Sequence, residues 1–536
     1  SFLQKLLGLL GCLAAEKCVY LRMFVRKKTN KSGTTSVVVV DKSGGKYRLM
    51  RSFGSSSEPA EIERLCAEAT KWAMSYGGQQ LLDFDETEHA IREVKSVLSR
   101  VERTLHNTPQ AILNRIYDGI GFNAIEDGIL RHLVAARVCQ PMSKVATAEY
   151  LKSYFDEDVR LHNIYRYMDK LHDTQQEAVQ RISVEHTMVA LGGRIGLVFY
   201  DVTTLYFESM PQPDDELRQA GFSKDGKTAE SQIVLGLLVS EDGYPLSYSV
   251  FNGSQYEGRT MIPVIDDFVQ RFGISDFVVV ADSGLMSAKN VALLESAGYK
   301  YIIGARIRSE SPAVKEWILS VGRSDGNMEE RRKSGSQRLI VSYSEARARK
   351  NARNREKGVE RLRKAYSKGT LTKENVNKRG YNKFLDISKD IAVSINEDKI
   401  NEDALWDGLK GYVTNTDLPM SEVIAQYHGL WVVERAFRIG KGTLEMRPMF
   451  HFTPRRIEAH ICICFVAYKV YKELERVIRS IGLGLSIDRV LSIAKTVTTL
   501  RIRLPNGDTL TQTLFTTPEQ ESIKPLLEAL SIPTGD

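Results

Sequence analysis

Cysteine is scarce in this sequence, and its few cysteines are not spaced for pairing or for binding a metal. The chain has 536 residues and six cysteines: Cys12, Cys18, Cys66, Cys139, Cys462 and Cys464. None belongs to a C-x-x-C pair or to a zinc-like Cys/His spacing. The sequence therefore predicts neither a disulfide framework nor a structural zinc site, and it fits a reducing cytoplasm.

Two further features are missing from the chain. It has no run of 18 or more apolar residues, which excludes a predicted transmembrane helix, and no G-x-x-x-x-G-K-[ST] motif, so ATP-driven chemistry is not indicated. Acidic residues are slightly outnumbered, with 74 Lys and Arg against 67 Asp and Glu. The positive charge is concentrated in residues 331–364, where 13 Lys or Arg face 3 Glu. A polyanionic partner is compatible with this distribution.

Two aspartates directly follow apolar runs. Asp201 ends IGLVFYD, and Asp282 ends FVVVAD. Continuous apolar runs of this length are typical of strands buried on both faces, and residues at the ends of such strands line the usual site crevice. A turn or cap role is the alternative for either aspartate alone.

The segment from Ser421 to Lys441 predicts one amphipathic helix. Residues seven apart lie on one helical stripe, so Tyr427, Glu434 and Lys441 share a face, with Leu430 and Arg438 one turn to either side of Glu434. Apolar residues for packing follow at other positions, namely Ile424, Trp431, Val432, Ala436 and Ile439. The alternative is a surface glutamate among ordinary charge partners.

The order of elements from residue 193 onward favours an α/β fold. The predicted order is three strands joined by short turns, followed by helix, strand, helix and strand. This is the order of an RNase H-like mixed five-stranded sheet with flanking helices. In that topology the first and fourth strands are neighbours, so Asp201 and Asp282 would be adjacent. Together with Glu434 they would suit two Mg²⁺ ions that act on phosphodiesters, with Tyr427 and Lys441 contacting phosphates.

The rest of the chain divides by composition. We predict seven regions. Residues 1–22 come from upstream of a native start at Met23 or were added before it, residues 23–57 form an N-terminal β-hairpin, and residues 58–192 form a helical DNA-binding region. The core has two parts, 193–306 and 411–476, separated by a basic insertion domain, 307–410, and a C-terminal region, 477–536, follows.

Two of these regions carry candidate DNA contacts. Residues 142–171 predict a helix-turn-helix, with Tyr165, Arg166, Tyr167 and Lys170 on the outer side of its second helix; an ordinary helical bundle is the alternative. The insertion contains a basic helix that would track a DNA backbone through Arg353, Arg355, Arg361 and Arg363. The alternative is that these arginines form a solvated helix face.

The order Asp201, Asp282, Glu434 resembles the DDE triad of bacterial insertion-sequence transposases. Tyr427, Glu434 and Lys441 match the Y-(2)-R-(3)-E-(6)-K signature of one superfamily. The three catalytic segments of that superfamily are similar to three stretches of this chain: FYDVTTLYFES, VVVADSGLMSAKNVALL and WVVERAFRIGK. The signature's arginine position is Leu430 here. We predict that Arg438 supplies the missing phosphate contact and that arginine would be tolerated in place of Leu430. The alternative is that Arg438 only pairs with Glu434 along the helix.

This resemblance implies a metal-dependent transposase. The two ions would be Mg²⁺, with Mn²⁺ as a substitute, held by Asp201, Asp282 and Glu434. The partners would be terminal inverted repeats and target DNA, bound by a homodimer in the bacterial nucleoid, without a membrane or ATP. The insertion would be largely β and would grip element-end DNA. Two alternatives stay open: a catalytically silent DNA-binding protein derived from a transposase, and an RNase H-like nuclease or resolvase.

Overall fold

The fold is described from a computed structural model of the chain. It describes residues 23–43, 45–76, 84–210, 214–222, 226, 229–285, 287–372, 376–377, 380–387 and 393–534. The predicted leading segment, 1–22, lies outside these residues. The chain divides into two compact units, Ser1–Arg100 and Val101–Asp536.

The first unit is a three-stranded antiparallel sheet with a helix on one side. Its elements are β1 (Met23–Thr29), β2 (Thr35–Asp41), β3 (Arg48–Ser56), α1 (Pro59–Ser75) and α2 (Phe84–Leu98). β2 is the central strand. Val37 and Val39 of β2 pack against Leu65, Ala69 and Ala73 of α1, which occupy one face of the helix. The predicted hairpin thus gains a third strand, and the predicted boundary at 57/58 falls inside this unit.

The second unit begins with a short strand and a group of helices. These are β4 (Val101–Leu105), α3 (Thr108–Ile120), α4 (Gly128–Cys139), α5 (Lys144–Tyr150), α6 (Leu161–Lys170) and α7 (Gln176–Ala190), with π-helical turns at Leu151–Phe155 and Leu171–Gln175. The Ser143 hydroxyl accepts a hydrogen bond of 3.3 Å from the Ala146 N–H. Ser143 is the N-cap of α5, because its hydroxyl satisfies a backbone donor that the first helical turn leaves unpaired.

A long α/β region follows. Its elements are β5 (Leu197–Tyr206), β6 (Gln232–Ser240), β7 (Pro245–Asn252), α8 (Met261–Phe272), β8 (Val278–Ala281), α9 (Ala288–Ser296), β9 (Lys300–Ala305), α10 (Pro312–Ser320), β10 (Met328–Arg332), β11 (Arg338–Tyr343), α11 (Glu345–Ser367), β12 (Leu385–Ile387), β13 (Val393–Ile395), α12 (Glu397–Ala404) and β14 (Leu409–Thr414).

One mixed sheet of eight strands organises this region, in the order β10-β11-β14-β9-β8-β5-β6-β7. The predicted neighbours β5 and β8 pair in parallel, and β8 pairs in parallel with β9. All other adjacent pairs are antiparallel. The sheet has eight strands instead of the expected five, because β14 pairs with β9 and brings two strands of the insertion into the same sheet.

The insertion is therefore only partly separate from the core. Its strands β10 and β11 extend the main sheet, whereas Val359, Leu362, Phe384 and Leu385 form a small core of their own. Its longest element is the 23-residue helix α11. Among the described residues of the insertion, helical residues outnumber strand residues, so the expected largely β insertion is not found.

The chain ends in helices and a hairpin. These elements are α13 (Met420–His428), α14 (Trp431–Arg438), α15 (Pro454–Ser480), α16 (Ile487–Ala494), β15 (Thr498–Arg503), β16 (Thr509–Leu514), α17 (Pro518–Glu521) and α18 (Lys524–Ala529). β15 and β16 form a hairpin around LPNGDT, and β15 also pairs with β4. None of the helices among the described residues has the length and apolarity needed to cross a bilayer.

Apolar side chains cover both faces of the main sheet. One face packs with the early helices and with α13 to α16, and Phe199 of β5 belongs to this first core. The other face packs with α8 and α9, and Tyr200 belongs to this second core. Consecutive strand residues alternate between the two cores, as the period of two in a strand requires.

Candidate active site

Two aspartates lie next to one another on neighbouring parallel strands. Tyr200 of β5 pairs with Ala281 of β8, so Asp201 and Asp282 each come one residue later. Adjacent strands lie about 4.8 Å apart. β8 ends at Ala281 as predicted, whereas β5 continues past Asp201 to Tyr206 because its pairing with β6 continues.

Both aspartates face the side of the sheet that carries α13 and α14. Phe199 and Val280, two residues before the aspartates, belong to the first core, and the intervening Tyr200 and Ala281 belong to the second. By strand alternation, Asp201 and Asp282 follow Phe199 and Val280 onto the first side. Val433 and Ala436 of α14 belong to the same core, so the glutamate-bearing helix covers the aspartate side of the sheet.

The Asp282 carboxylate is held by a set of donors. Tyr427 of α13 donates its hydroxyl hydrogen to Asp282 Oδ1 at 2.9 Å. Partial burial of the carboxyl opposes ionisation, but hydrogen bonds from the Ser283 N–H, the Tyr427 hydroxyl and the Gly284 N–H, with the charge of Lys410, outweigh burial and hold the pKa of Asp282 below its usual range. The Asp282 carboxylate is therefore held in one orientation and is ionised at neutral pH.

The neighbouring strands leave space for the Tyr427 side chain. A Cβ atom at Gly304 of β9 would lie 2.4 Å from the Tyr427 hydroxyl oxygen, so glycine is required for this approach. Tyr412 of β14 contacts the ring edge-on at a centroid distance of 4.9 Å, and the Lys410 ammonium lies 4.9 Å from the ring centroid. Burial, followed by the nearby charge of Asp282, raises the pKa of Tyr427, which keeps its phenol protonated as a donor.

Cations surround the loop that follows Asp282. Arg306 donates to the carbonyl oxygens of Ser283 and Gly284 at 2.9 and 3.0 Å and so fixes the loop. Beside it lies a cleft of about 340 Å³ whose lining includes Arg306, Arg308, Arg347, Trp406 and Lys410. Arg308 is already paired with Asp403. None of these cations was predicted from the sequence, because they come from separate elements that only the sheet order brings together.

The predicted single helix from Ser421 to Lys441 is interrupted. α13 ends at His428, α14 begins at Trp431, and a π-helical turn covers Ile439–Thr443. At the interruption, a Cβ atom on Gly429 would lie 2.4 Å from Cζ of Phe199. Gly429 and Leu430 keep helix-like backbone angles, so the interruption is local, and glycine lets the backbone approach the sheet there. Trp431, expected to pack against the sheet, is instead exposed.

Glu434 lies on the exposed side of α14, while Val433, Ala436 and Phe437 are buried beneath it. Across the part of the chain that the structure describes, no group of three or more His, Cys, Asp and Glu side chains is arranged to hold a metal ion. The structure thus brings Asp201 and Asp282 together with Tyr427, while the grouping with Glu434 stays a prediction.

The signature positions around Glu434 differ in their surroundings. Leu430 is only 7 % exposed and belongs to the first core, and this burial weighs against the expectation that arginine would be tolerated there. Arg435 forms an ion pair with Glu475 of α15 and is committed to packing. Arg438 is exposed, as a DNA contact requires. Lys441 is half-buried and borders a small, mostly apolar cavity.

The predicted helix-turn-helix is only partly consistent with a DNA-reading surface. Tyr167, expected on the outer side of α6, is buried and donates its hydroxyl hydrogen to Gln175 at 2.8 Å. Tyr165 is half-buried beneath the Arg456 guanidinium, 4.7 Å from its ring centroid. Arg166 is exposed, and Lys170 is paired with Asp127 at 3.4 Å. Of the four side chains, Arg166 is the most available to a ligand.

The four arginines of the basic helix α11 also separate into groups. Arg355 donates to both carboxylate oxygens of Asp407 at 2.6 Å, so it joins α11 to the residues before β14. Arg363 is exposed and paired with Glu397 at 2.8 Å. Arg353 and Arg361 are exposed. The expectation that Arg355 contacts DNA therefore conflicts with its bidentate ion pair.

Comparison with known families identifies the class of protein. A mixed α/β sheet that holds two aspartates against a tyrosine-bearing helix defines a carboxylate site, and the family described as "Transposase DDE domain" matches residues 193–469, just over half of the chain. The chain belongs to this family of DDE transposases.

Solved structures resemble the chain only loosely. A piggyBac transposase synaptic complex with hairpin DNA, determined by cryo-EM, has 10 % sequence identity and a TM-score of 0.35, covering 78 % of this chain and 70 % of that one. A Mos1 transposase paired-end complex with the left transposon end has 12 % identity and a TM-score of 0.15, covering 44 % of this chain and 71 % of that one. No curated protein matches the chain.

Proposed function

We propose that this protein is a DNA transposase that cleaves DNA at the ends of its element and joins the freed 3′-OH to target DNA. The observation that carries the proposal is the adjacent pair Asp201 and Asp282, which faces α14 inside the family-matched residues. The proposed catalytic core is RNase H-like and consists of five contiguous strands of the eight-stranded sheet, β7-β6-β5-β8-β9. The intact carboxylates favour this function over a catalytically silent DNA-binding protein.

The proposed cofactor is a pair of Mg²⁺ ions, with Mn²⁺ as a substitute. Asp201 and Asp282 fit this role because carboxylate oxygens suit hard cations, and the lowered pKa of Asp282 keeps that ligand ionised. Mg²⁺ is commonly held by one or two carboxylates plus waters and substrate phosphates, so an aspartate pair is a sufficient protein contribution before DNA arrives. When bound, the ions would activate the attacking oxygen and stabilise the leaving one. Glu434, on the helix over the aspartates, is the proposed third ligand.

The chain's own residues then have separate tasks. Tyr427 holds Asp282 in one orientation by its hydrogen bond, and Arg306 fixes the loop behind that aspartate through two carbonyl oxygens. Lys410 and Arg347 line the adjoining cleft and supply positive charge for DNA phosphates. A preorganised site of this kind spends no energy on reorganising its dipoles during the reaction.

Further DNA contacts are proposed for residues outside the aspartate pair, all of them exposed except the half-buried Lys441. Arg438 and Lys441 follow Glu434, and Arg353 and Arg361 project from α11; Arg166 is the remaining candidate on α6. The proposed assembly is a homodimer on terminal inverted repeats and target DNA, and it requires no ATP.

Incubation with the inverted repeats that flank the gene tests the proposal and separates it from its rivals. Strand-transfer products support a transposase, nicks without joining support a nuclease or resolvase, and binding alone supports a silent DNA-binding protein. Asp201→Asn, Asp282→Asn and Glu434→Gln should each nearly abolish cleavage in Mg²⁺ while end binding persists, and their losses should not add because the residues act as a unit. Retained cleavage by Glu434→Gln would overturn its proposed role.

A further inference from the structure

The sheet of the first unit has one covered face and one open face. Val37 and Val39 point toward α1 and are fully buried. The side chains that alternate with them point the other way, and Phe24, Arg26 and Lys28 of β1 pair there with Val40, Val38 and Ser36. Leu49 of β3 pairs with Val40 and so lies on the same side.

This open face combines cations with apolar groups. Phe24 meets Tyr47 edge-on at a centroid distance of 6.0 Å, and Tyr47 lies within 4.8 Å of the Arg26 guanidinium and 5.4 Å of the Lys42 ammonium. Tyr47 and Leu49 are 54 % and 61 % exposed. Six residues thus define the open face: Phe24, Arg26, Lys28, Lys42, Tyr47 and Leu49. An exposed apolar patch with a charged rim is typical of an interaction surface.

Charge decides which partner suits this face. Residues 23–56 contain eight Lys or Arg and a single acidic residue, Asp41. The Asp41 carboxylate accepts hydrogen bonds from the N–H and hydroxyl of Ser43 at 2.8 and 2.6 Å, so it is engaged within its own turn. The sheet therefore presents a strongly positive surface, and its complement is a polyanion.

We infer that the open face binds the phosphate backbone of duplex DNA, as a second DNA site separate from the aspartate pair. This inference rests on the proposed function for the choice of DNA as the polyanion. Arg26 and Lys28 stand two residues apart on one strand, so their side chains project in the same direction along the sheet. Because cations lie over the Tyr47 ring, that ring supports the cations more than it offers a free surface for stacked bases. Backbone contact, without base reading, is the expected mode.

The chain offers a matched pair of charge variants for the test. Arg26→Gln with Lys28→Gln removes two charges from the open face. Lys27→Gln with Lys71→Gln also removes two charges from this unit, but Lys27 pairs with Val37 on the covered side and Lys71 lies on α1. All four residues are exposed, and thermal unfolding of each full-length variant checks that the fold is kept.

The measurement is the affinity of the full-length protein for duplex DNA across a range of salt concentrations. Each lost phosphate contact lowers the slope of log K against log salt by about 0.9, so the open-face pair should reduce it by about 1.8 and the control pair should leave it unchanged. Equal slopes for both pairs overturn the inference. Preferential binding of single-stranded DNA that is lost in Tyr47→Leu overturns it as well. Failure of the parent itself to bind or cleave element ends would instead refute the proposed function.

Discussion

The hydroxyl of Tyr427 donates a 2.9 Å hydrogen bond to Asp282, and Gly304 makes room for that hydroxyl. Tyr427→Phe removes the donor and keeps the ring against Tyr412. A hydrogen bond to a charged group contributes about 1.5–3 kcal/mol, and Asp282 retains its backbone donors. We therefore expect cleavage of element ends to slow by about 10- to 100-fold while the folded structure persists, measured by single-turnover cleavage and circular dichroism.

A matched control for this substitution is Tyr154→Phe, because Tyr154 is 46 % exposed and lies in the π-helical turn after α5. It should cleave at the parental rate. Parental cleavage by Tyr427→Phe as well would show that orientation of Asp282 does not depend on this hydroxyl.

Gly304 provides an independent test of the same contact. In Gly304→Ala the added methyl would lie 2.4 Å from the Tyr427 hydroxyl oxygen and 3.1 Å from the Ser283 nitrogen. Overpacking of this kind costs about 1–3 kcal/mol, so both stability and cleavage should fall. Chemical denaturation measures the first effect. Gly119→Ala, in α3 with nothing within 4 Å of the new methyl, should not destabilise the protein.

The double variant Tyr427→Phe with Gly304→Ala distinguishes a local clash with Tyr427 from a general loss of stability. Tyr427→Phe removes the oxygen that the methyl added by Gly304→Ala would strike, so Gly304→Ala should cost less stability in that background than in the parent. Additive losses would mean that the clash with Tyr427 is not the cause, since coupling between contacting residues is expected to appear as non-additivity.

Much of the central sheet was predictable because its signal is local. The apolar runs before Asp201 and Asp282, and the order of elements between them, predicted the neighbouring strands β5 and β8, which the structure confirms. The aspartate pair follows from that adjacency. The strands of the insertion were not assigned to the sheet, because the pairing of β14 with β9 joins residues about 110 apart in sequence, and no periodicity reports such a contact.

The environment of individual side chains was harder to predict. Helical periodicity places Tyr427, Leu430 and Trp431 on a continuous helix, but it does not report the break between the two helices at Gly429, where the backbone approaches the Phe199 ring. Arg355 and Arg353 look equivalent in a basic helix, yet only Arg355 meets Asp407. Lys410 and Arg306 carried no sequence signal, because their proximity to Asp282 arises from strands that converge in space.

The ion pair between Arg435 and Glu475 should make stability depend on pH. Burial works against ionisation of Glu475, but hydrogen bonds from Arg435 and Lys472 lower its pKa to about 2, against about 4.3 in an unfolded chain. A carboxyl with a lowered folded pKa contributes stability that is complete above the unfolded pKa and is lost as pH falls through the folded pKa. Arg435→Gln should therefore cost about 2 kcal/mol at pH 7 and less at pH 3.

Urea denaturation at the two pH values measures this difference. Arg438→Gln is the control, since Arg438 is exposed on the same helix and its loss should change stability by less than about 0.5 kcal/mol. The same control should weaken binding of element-end DNA, which Arg438 is proposed to contact. If Arg438→Gln instead lowers stability and leaves DNA binding intact, the roles of the two arginines are reversed.

Leu430 occupies the position at which the related signature has arginine, and its burial predicts what arginine would do here. The side chain is 7 % exposed and packs in the core beneath α13 and α14. Leu430→Arg would bury a charge without an ionic partner, so we expect a loss of about 3 kcal/mol or more in unfolding free energy. Leu430→Met, which conserves volume and apolarity, should cost less than about 1.5 kcal/mol. Denaturation of both variants checks this, and a fully stable Leu430→Arg protein with tighter DNA binding would show that α14 can turn this position toward the DNA.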